Sequence, residues 1–111
     1  MKVAAILIVL AIVLVSGQAL AENWVVVDDA VIGASVNKDS IHSGTDDLVY
    51  FTAQFADVSD DAVDCQRRVM YTLKLHVMDG INYPNWREDS EPIVAGSPGD
   101  SVAQYVCAHA R

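Results

Sequence analysis

The segment Leu48–Ala56 (LVYFTAQFA) alternates more apolar with less apolar residues, and the prediction of the whole fold starts from it. Side chains at every second position of a strand point to the same face of a sheet. The set expected to face the core consists of Val49, Phe51, Ala53 and Phe55. The chain is therefore predicted to build a sheet with one buried face, which is a common arrangement of antiparallel strands.

A longer alternating segment, Gln66–Met78, gives the second strand signal. Its apolar positions, which are predicted to face the core, are Val69, Tyr71, Leu73, Leu75 and Val77. Asp79–Gly80 follows directly and indicates a hairpin, because a type I′ turn needs positive φ at both central residues. Ile81–Tyr83 is the predicted returning strand, which ends before Pro84.

Shorter elements precede and follow these strands. β-Branched residues indicate strands at Trp24–Val27 and at Ile32–Asn37, whereas Asp39–Gly44 is rich in turn residues. The acidic segment Asp57–Asp64 is predicted to be a solvated connection, since its spacing does not match a calcium-binding EF-hand loop. Pro92–Ala95 is a predicted edge piece.

The last part of the sequence carries the signals of a helix start. Ser97 suits the N-cap, Pro98 the first helical position, and Asp100 the positively polarised first turn. A helix from Pro98 to about His109 gathers one apolar stripe, formed by Val102, Ala103, Val106, Cys107 and Ala110. This stripe is expected to pack on the sheet.

Residues 1–21 are predicted to be a cleaved secretory signal peptide. Lys2 provides a basic start, Val3–Val15 is an unbroken apolar run, and Ala19–Ala21 is a small-residue cleavage site. The alternative is an uncleaved membrane anchor, although a spanning helix needs about 20 predominantly apolar residues and this run is shorter. Cleavage is expected to leave one exported domain, residues 22–111, without a membrane anchor.

Cys65 and Cys107 are the two cysteines of the chain. In an oxidising compartment an even pair is expected to form a disulfide. Cys65 shares the parity of the apolar positions in the long strand, and Cys107 lies at the edge of the helical stripe, so both point to the same layer. The two do not form a redox C-x-x-C pair, and no partner ligands for zinc lie at the usual spacing.

Acidic residues outnumber basic residues by fifteen to seven, which gives the whole chain a formal net charge of −8 at pH 7. Removal of the leader also removes Lys2 and makes the remaining charge more negative. Nucleic acids and anionic membrane surfaces attract basic patches, so neither is an expected partner. The charge is sufficient to explain solubility, and the alternative is attraction to a basic partner.

The sequence contains no catalytic or metal-binding motif. His42, His76 and His109 lie far apart, whereas a metal site needs several ligands that converge. A Gly-x-Ser-x-Gly elbow, which marks many hydrolases, is also missing. The chain is therefore predicted not to be an enzyme, and to use no cofactor and no metal.

The sheet face that the helix leaves uncovered is the candidate interaction surface, because one helix covers only one face. Its candidate interaction residues are Leu48, Tyr50, Met70, Lys74, His76 and Met78. Exposed apolar patches often mark interaction surfaces, and methionines adapt to varied contacts. The alternative is a half-polar, solvated face, which is normal for antiparallel sheets. The expected occupant is a protein partner or a second copy of the chain in a homodimer.

Several landmarks occur in a fixed order along residues 22–111. They are Trp24, Val36–Ile41 (VNKDSI), Asp64–Cys65, Met78–Gly80, Ala95–Ser97 and Val106–Cys107. This ordered set resembles the surface-adhesin protein E family of small exported bacterial proteins, over essentially the whole predicted mature domain. The resemblance implies an antiparallel sheet of about six strands with a C-terminal helix held by a disulfide. It also implies a Gram-negative envelope or surface location and, for the adhesins, attachment to host matrix proteins.

The chain departs from that family in lacking a lipid-anchoring cysteine and in having Ala95 where the family pattern has Pro. The predicted fold class is α+β: an antiparallel sheet of about five to six strands, with the helix packed on one face and a single disulfide. The predicted function is that of an exported binding protein, in the periplasm or at the cell surface, which adheres to host or envelope proteins. The alternative function is a small acidic periplasmic inhibitor of a basic enzyme such as lysozyme.

Overall fold

A computed structural model of the chain describes residues 23–30 and 33–111. The predicted signal peptide, its cleavage site and the start of the strand predicted at Ile32–Asn37 lie outside the described residues. Within the described residues, no helix is both long enough and apolar enough to span a membrane.

The described part of the chain forms one antiparallel sheet and one α-helix, which confirms the α+β class. The strands are β1 (Trp24–Asp28), β2 (Ala34–Ser43), β3 (Val49–Gln54), β4 (Val58–Asp64), β5 (Val69–Leu75), β6 (Ile81–Asn82) and β7 (Glu91–Pro92). Strands β1 to β6 lie side by side in chain order, and β7 pairs with β5 beside β6. A 3-10 helix (Trp86–Glu88) lies between β6 and β7, and the α-helix α1 (Pro98–Ala108) follows all the strands.

Strand β2 is longer than its predicted counterpart, because it continues through the segment expected to be a turn. The pairing of β2 with β3 shifts register after Asn37. Within this irregularity the Ser40 hydroxyl donates to the Asn37 carbonyl at 2.6 Å and accepts the Thr52 N–H at 2.7 Å. A serine side chain therefore takes the place of a ladder bond, which lets turn-forming residues lie within a strand.

The acidic segment Asp57–Asp64 was expected to be a solvated connection, and that prediction is wrong. Most of the segment is β4, which pairs with β3 on one side and with β5 on the other. Hydroxyl groups satisfy its carboxylates: Ser59 donates to Asp61 at 2.8 Å and Thr52 to Asp60 at 2.8 Å. Such partners come from packing rather than from local sequence, so the low strand propensity of aspartate is overridden.

The alternation along β5 differs from the predicted one. Met70 packs against the core, whereas Tyr71 is paired with Ala62 on the opposite face of the sheet. A register shift between β4 and β5 then leaves Leu73 without a directly paired residue. A bulge of this kind changes the parity of every later position. The strand also begins only at Val69, so Cys65 lies in the turn before it.

The predicted hairpin between β5 and β6 is confirmed, but its turn is displaced by one residue. The Gly80 N–H donates to the Val77 carbonyl at 2.8 Å, so Met78 and Asp79 occupy the centre of the turn. Positive φ occurs at Met78 (52°) and at Gly80 (92°). Glycine suits position 80 because residues with a side chain rarely adopt a φ of 92°.

Helix α1 packs on β1, β2 and β3 and completes the core. Its predicted start is confirmed, since the Ser97 hydroxyl accepts the Asp100 N–H at 3.2 Å and Pro98 occupies the first turn. The buried core cluster is formed by Ala34, Val36, Ile41, Val49, Phe51, Ala53, Val63, Val102, Ala103 and Val106. The predicted disulfide between Cys65 and Cys107 is also present and ties the β4–β5 turn to the C-terminal end of α1.

Candidate interaction surface

The face of the sheet that points away from α1 is called the open face below. Two rows of paired residues define it: Tyr50–Ala62–Tyr71 and Thr52–Asp60–Lys74, each running across β3, β4 and β5. The segment 83–90, which contains the 3-10 helix, folds against one end of this face. The open face is therefore partly covered by this segment.

The structure places Tyr50, Lys74 and His76 of the six candidate residues on the open face. Tyr50 and Lys74 belong to its two rows, and His76 contacts Asp60 there. Of the other three candidates, one is buried and two lie elsewhere. Leu48 is buried, Met70 packs against the core from the helix side, and Met78 is fully exposed in the β5–β6 turn. Met70 lies on the helix side because the alternation along β5 differs from the predicted one. Met78 lies outside the sheet because it belongs to the β5–β6 turn.

Aromatic side chains form the centre of the open face. The ring of Trp86 meets Tyr50 and Tyr71 edge-on, with centroid distances of 6.2 and 5.4 Å. His42 stacks on the other side of Tyr50 at 5.5 Å. Trp86 and Tyr71 were absent from the predicted site. The one sequence signal for Trp86 is a large aromatic residue inside an otherwise polar loop, which suggests that it packs on something.

A charged network fixes the position of this aromatic cluster. The guanidinium of Arg87 lies 4.3 Å from the centre of the Trp86 ring, and its Nη2 is 3.0 Å from Oδ2 of Asp46. The Tyr50 hydroxyl donates to the same Asp46 oxygen, and this bond lowers the pKa of Asp46. Burial, and next the hydrogen bond to Asp46, raises the pKa of Tyr50. The loop that carries Arg87 is thereby linked to β3.

The other end of the open face is polar. Nε2 of His76 lies 3.0 Å from Oδ1 of Asp60, which also accepts the Thr52 hydroxyl at 2.8 Å. A hydrolytic triad places its histidine between the nucleophile and the acid. Here Asp60 lies between His76 and Thr52, so the order is different. The described residues also contain no group of three or more His, Cys, Asp or Glu placed to hold a metal ion.

Two depressions flank the aromatic cluster. One, of about 520 Å³, lies between β5 and the segment 83–90 and is lined in part by Thr72, Tyr83 and Trp86. The other, of about 500 Å³, lies along β3 and includes His42, Tyr50 and Leu73 in its lining. A partner could therefore contact the aromatic side chains and place side chains of its own in the two depressions.

Comparison with protein-family models, with curated proteins and with solved structures finds no match for the chain. The landmarks of the family resemblance fall on the β2 strand, the β4–β5 turn, the β5–β6 turn and the two ends of α1. The resemblance to the surface-adhesin protein E family accordingly rests on those sequence landmarks alone.

Proposed function

We propose that the protein is an exported, non-enzymatic binding protein that contacts a protein partner through the open face. The observation that carries this proposal is the clustering of Tyr50, Tyr71, Trp86 and Arg87. Tyrosine, tryptophan and arginine dominate the energetic centres of protein interfaces. The two aromatic types bury a large area and have few conformations to lose, whereas arginine adds several hydrogen-bond donors and can stack on aromatic rings. The network around Asp46 holds these side chains in place before a partner arrives, which lowers the entropic cost of binding.

Export is supported by the disulfide, because such bonds persist in oxidising compartments and are rare in the cytosol. The resemblance to the surface-adhesin protein E family supports a Gram-negative envelope location, in the periplasm or at the cell surface. It also supports a host matrix protein or an envelope protein as the partner. The same face is the proposed surface for a homodimer, if the partner is a second copy.

The direct test is binding of the mature protein to a panel of purified extracellular-matrix proteins on a biosensor. Trp86→Ala removes the centre of the aromatic cluster, whereas Gln104→Ala alters an exposed position of α1 on the other side of the sheet. Loss of an interface centre typically costs about 2 kcal/mol or more, or at least about 30-fold in affinity. We expect this loss for Trp86→Ala only. Equal affinities of both variants for every bound matrix protein would contradict the use of the open face. The homodimer is tested separately, by measuring the molar mass of the protein in solution with light scattering.

The second candidate function is inhibition of a basic enzyme, and the excess of fifteen acidic over seven basic residues favours it. Binding that depends on summed charge weakens steeply with salt, whereas burial of aromatic groups does not. Lysozyme activity measured with the protein at low and at high salt separates the two candidates. Inhibition that disappears at high salt and is unchanged by Trp86→Ala would favour the inhibitor.

A further inference from the structure

A groove of about 370 Å³ lies on the helix side of the sheet, where α1 does not cover β4 and β5. Phe55, Met70 and Leu75 give it apolar walls, and Gly99 in the first turn of α1 borders it. It adjoins the depression beside Trp86, with which it shares Thr72, Leu75 and Glu91, whereas Phe55, Met70 and Gly99 line the groove and not that depression. It is called the Asp61 groove below, because Asp61 lies in its floor.

Asp61 is a carboxyl group in an apolar setting without a cation. The residue is 2% exposed and lies opposite Phe51 in the β3–β4 pairing. The Ser59 hydroxyl donates to its Oδ2 at 2.8 Å, and Thr72 donates a further side-chain hydrogen bond. Burial nevertheless raises the pKa of Asp61 to about 7. Two neutral donors therefore do not compensate the cost of the buried charge.

The rest of the groove adds negative charge. Asp57 and Glu91 also line it, and none of its described lining residues is a lysine, an arginine or a histidine. Arg68 is paired with Asp100 at the start of α1. The groove thus combines apolar walls with unpaired carboxylates, which is the complement of a long aliphatic chain that ends in a positive charge.

We propose that the Asp61 groove binds a lysine side chain presented by a partner protein. The aliphatic stem lies against Phe55 and Met70, and the ammonium group meets the Asp61 carboxylate. Lysine suits the site better than arginine. Ser59 and Thr72 already use part of the acceptor capacity of the Asp61 carboxylate. The capacity that is left suits a compact ammonium better than a planar guanidinium fork, which needs two aligned acceptors.

Binding through an ionised carboxylate gives the site a defined pH dependence. Only the ionised fraction of Asp61 attracts the ammonium, and that fraction rises from about a tenth at pH 6 to about nine-tenths at pH 8 when the pKa is about 7. Affinity should therefore rise about tenfold between these two values. The other charged groups that face Asp61 are Asp57 and Glu91 in the groove, Asp100 with Arg68 on the helix side, and Asp60 with His76 behind it.

The experiment is an NMR titration of the isotope-labelled mature protein with the peptide acetyl-Gly-Lys-Gly-amide, at pH 6 and at pH 8. We expect shifts of the Ala56, Met70 and Gly99 amides, which line this groove and not the depression beside Trp86. We also expect an affinity about tenfold higher at pH 8, and weaker shifts with the arginine peptide. The analogue with norleucine in place of lysine should not bind. Asp61→Asn should weaken binding tenfold or more, whereas Asp60→Asn, which changes the neighbouring carboxylate on the open face, should leave it within twofold.

The proposal is overturned if the lysine peptide shifts no groove amide, if Asp61→Asn binds as well as the wild type, or if wild-type affinity is equal at the two pH values. The last measurement needs no variant, so it decides the matter even if Asp61→Asn folds poorly. The lysine site stands whether or not the open face binds a protein. Trp86→Ala should keep full affinity for the peptide, and this result separates failure of the open face from failure of the groove.

Discussion

Replacement of Asp61 by asparagine should make the protein more stable at neutral and alkaline pH. The carboxyl group has an ordinary pKa of 3.8 in the unfolded chain and a pKa of about 7 in the folded protein. Between these values the folded protein holds the proton and the unfolded chain does not. Stability therefore falls as pH rises from about 4 to about 7, and is constant above that range as far as Asp61 is concerned.

The size of this effect follows from the two pKa values. Each pH unit between them costs about 1.4 kcal/mol, so the loss sums to roughly 4 kcal/mol between the values of 3.8 and about 7. This loss is a large part of the free energy of unfolding of a typical protein, which is about 5–15 kcal/mol. Asparagine keeps an acceptor for the Ser59 hydroxyl and carries no charge, so Asp61→Asn should lose the pH-dependent term and keep the hydrogen bond.

Urea denaturation of the wild type and of Asp61→Asn at intervals from pH 4 to pH 8 measures the effect. The two curves of unfolding free energy against pH should nearly meet at pH 4 and separate towards pH 8, with the variant above. Asp60→Asn is the matched control, because Asp60 is adjacent in β4 and partly exposed on the open face. The charge of Asp60 is only a minor cause of the raised pKa of Asp61, so this variant should keep most of the pH dependence. A wild-type stability that stays level between pH 4 and pH 7, or parallel curves for the two proteins, would refute the reasoning.

Three further substitutions test contributions to the stability of the fold. Replacing both Cys65 and Cys107 by serine should cost ~4 kcal/mol, from the loop of 42 residues that the bridge closes; an unchanged urea midpoint under non-reducing conditions would contradict this. Asp100→Asn should remove a contribution that is present above pH 4 and is lost as pH falls towards 2, because Arg68 lowers the pKa of Asp100 to about 2; thermal melts from pH 2 to pH 5 would show it, and identical acid profiles would count against it. Gly80→Ala should cost about 1 kcal/mol, since position 80 has φ of 92° and the atom nearest to an added Cβ belongs to the flexible end of Lys74. An unchanged melting temperature would contradict this, and Gly96→Ala, which also has positive φ and nothing within 4 Å of the added carbon, should lower the melting temperature by a similar amount.

The elements that were predictable from sequence are those with local signals. The alternation of β3, the capped start of α1 and the hairpin after β5 each depend on a few neighbouring residues, and each is present. Strand β4 was missed because its acidic composition is tolerated only through hydroxyl donors such as Thr52, which comes from another strand. The parity of β5 was missed because apolar residues lie on both of its faces and a bulge at Leu73 interrupts the alternation.

Only those parts of the candidate site that lie on a regularly alternating strand could be predicted from the sequence. Tyr50 was found because the parity of β3 is regular. Trp86 was missed because the segment 83–90 folds back over the sheet to reach the open face. The alternation of residues along a strand carries no information about such a fold-back. Asp61 was counted among solvated acids, since its burial depends on Phe51 and on the register of three strands. Surfaces made by distant segments are the part of a fold that local patterns describe least well.

The order of the elements along the chain has a consequence for how the molecule matures. Strands β2 to β5 are joined in sequence, so each can pair with the one before it as soon as it has been made. The only described helix that covers their apolar face follows all of them, and its contacts with β1 and β2 close the longest loops. Until α1 arrives, Cys65 has no partner and the face that becomes the core is open to water. Formation of the Cys65–Cys107 disulfide therefore reports that α1 has reached the sheet. A thiol-reactive probe applied during oxidative refolding of the reduced protein would measure how long the apolar face stays uncovered.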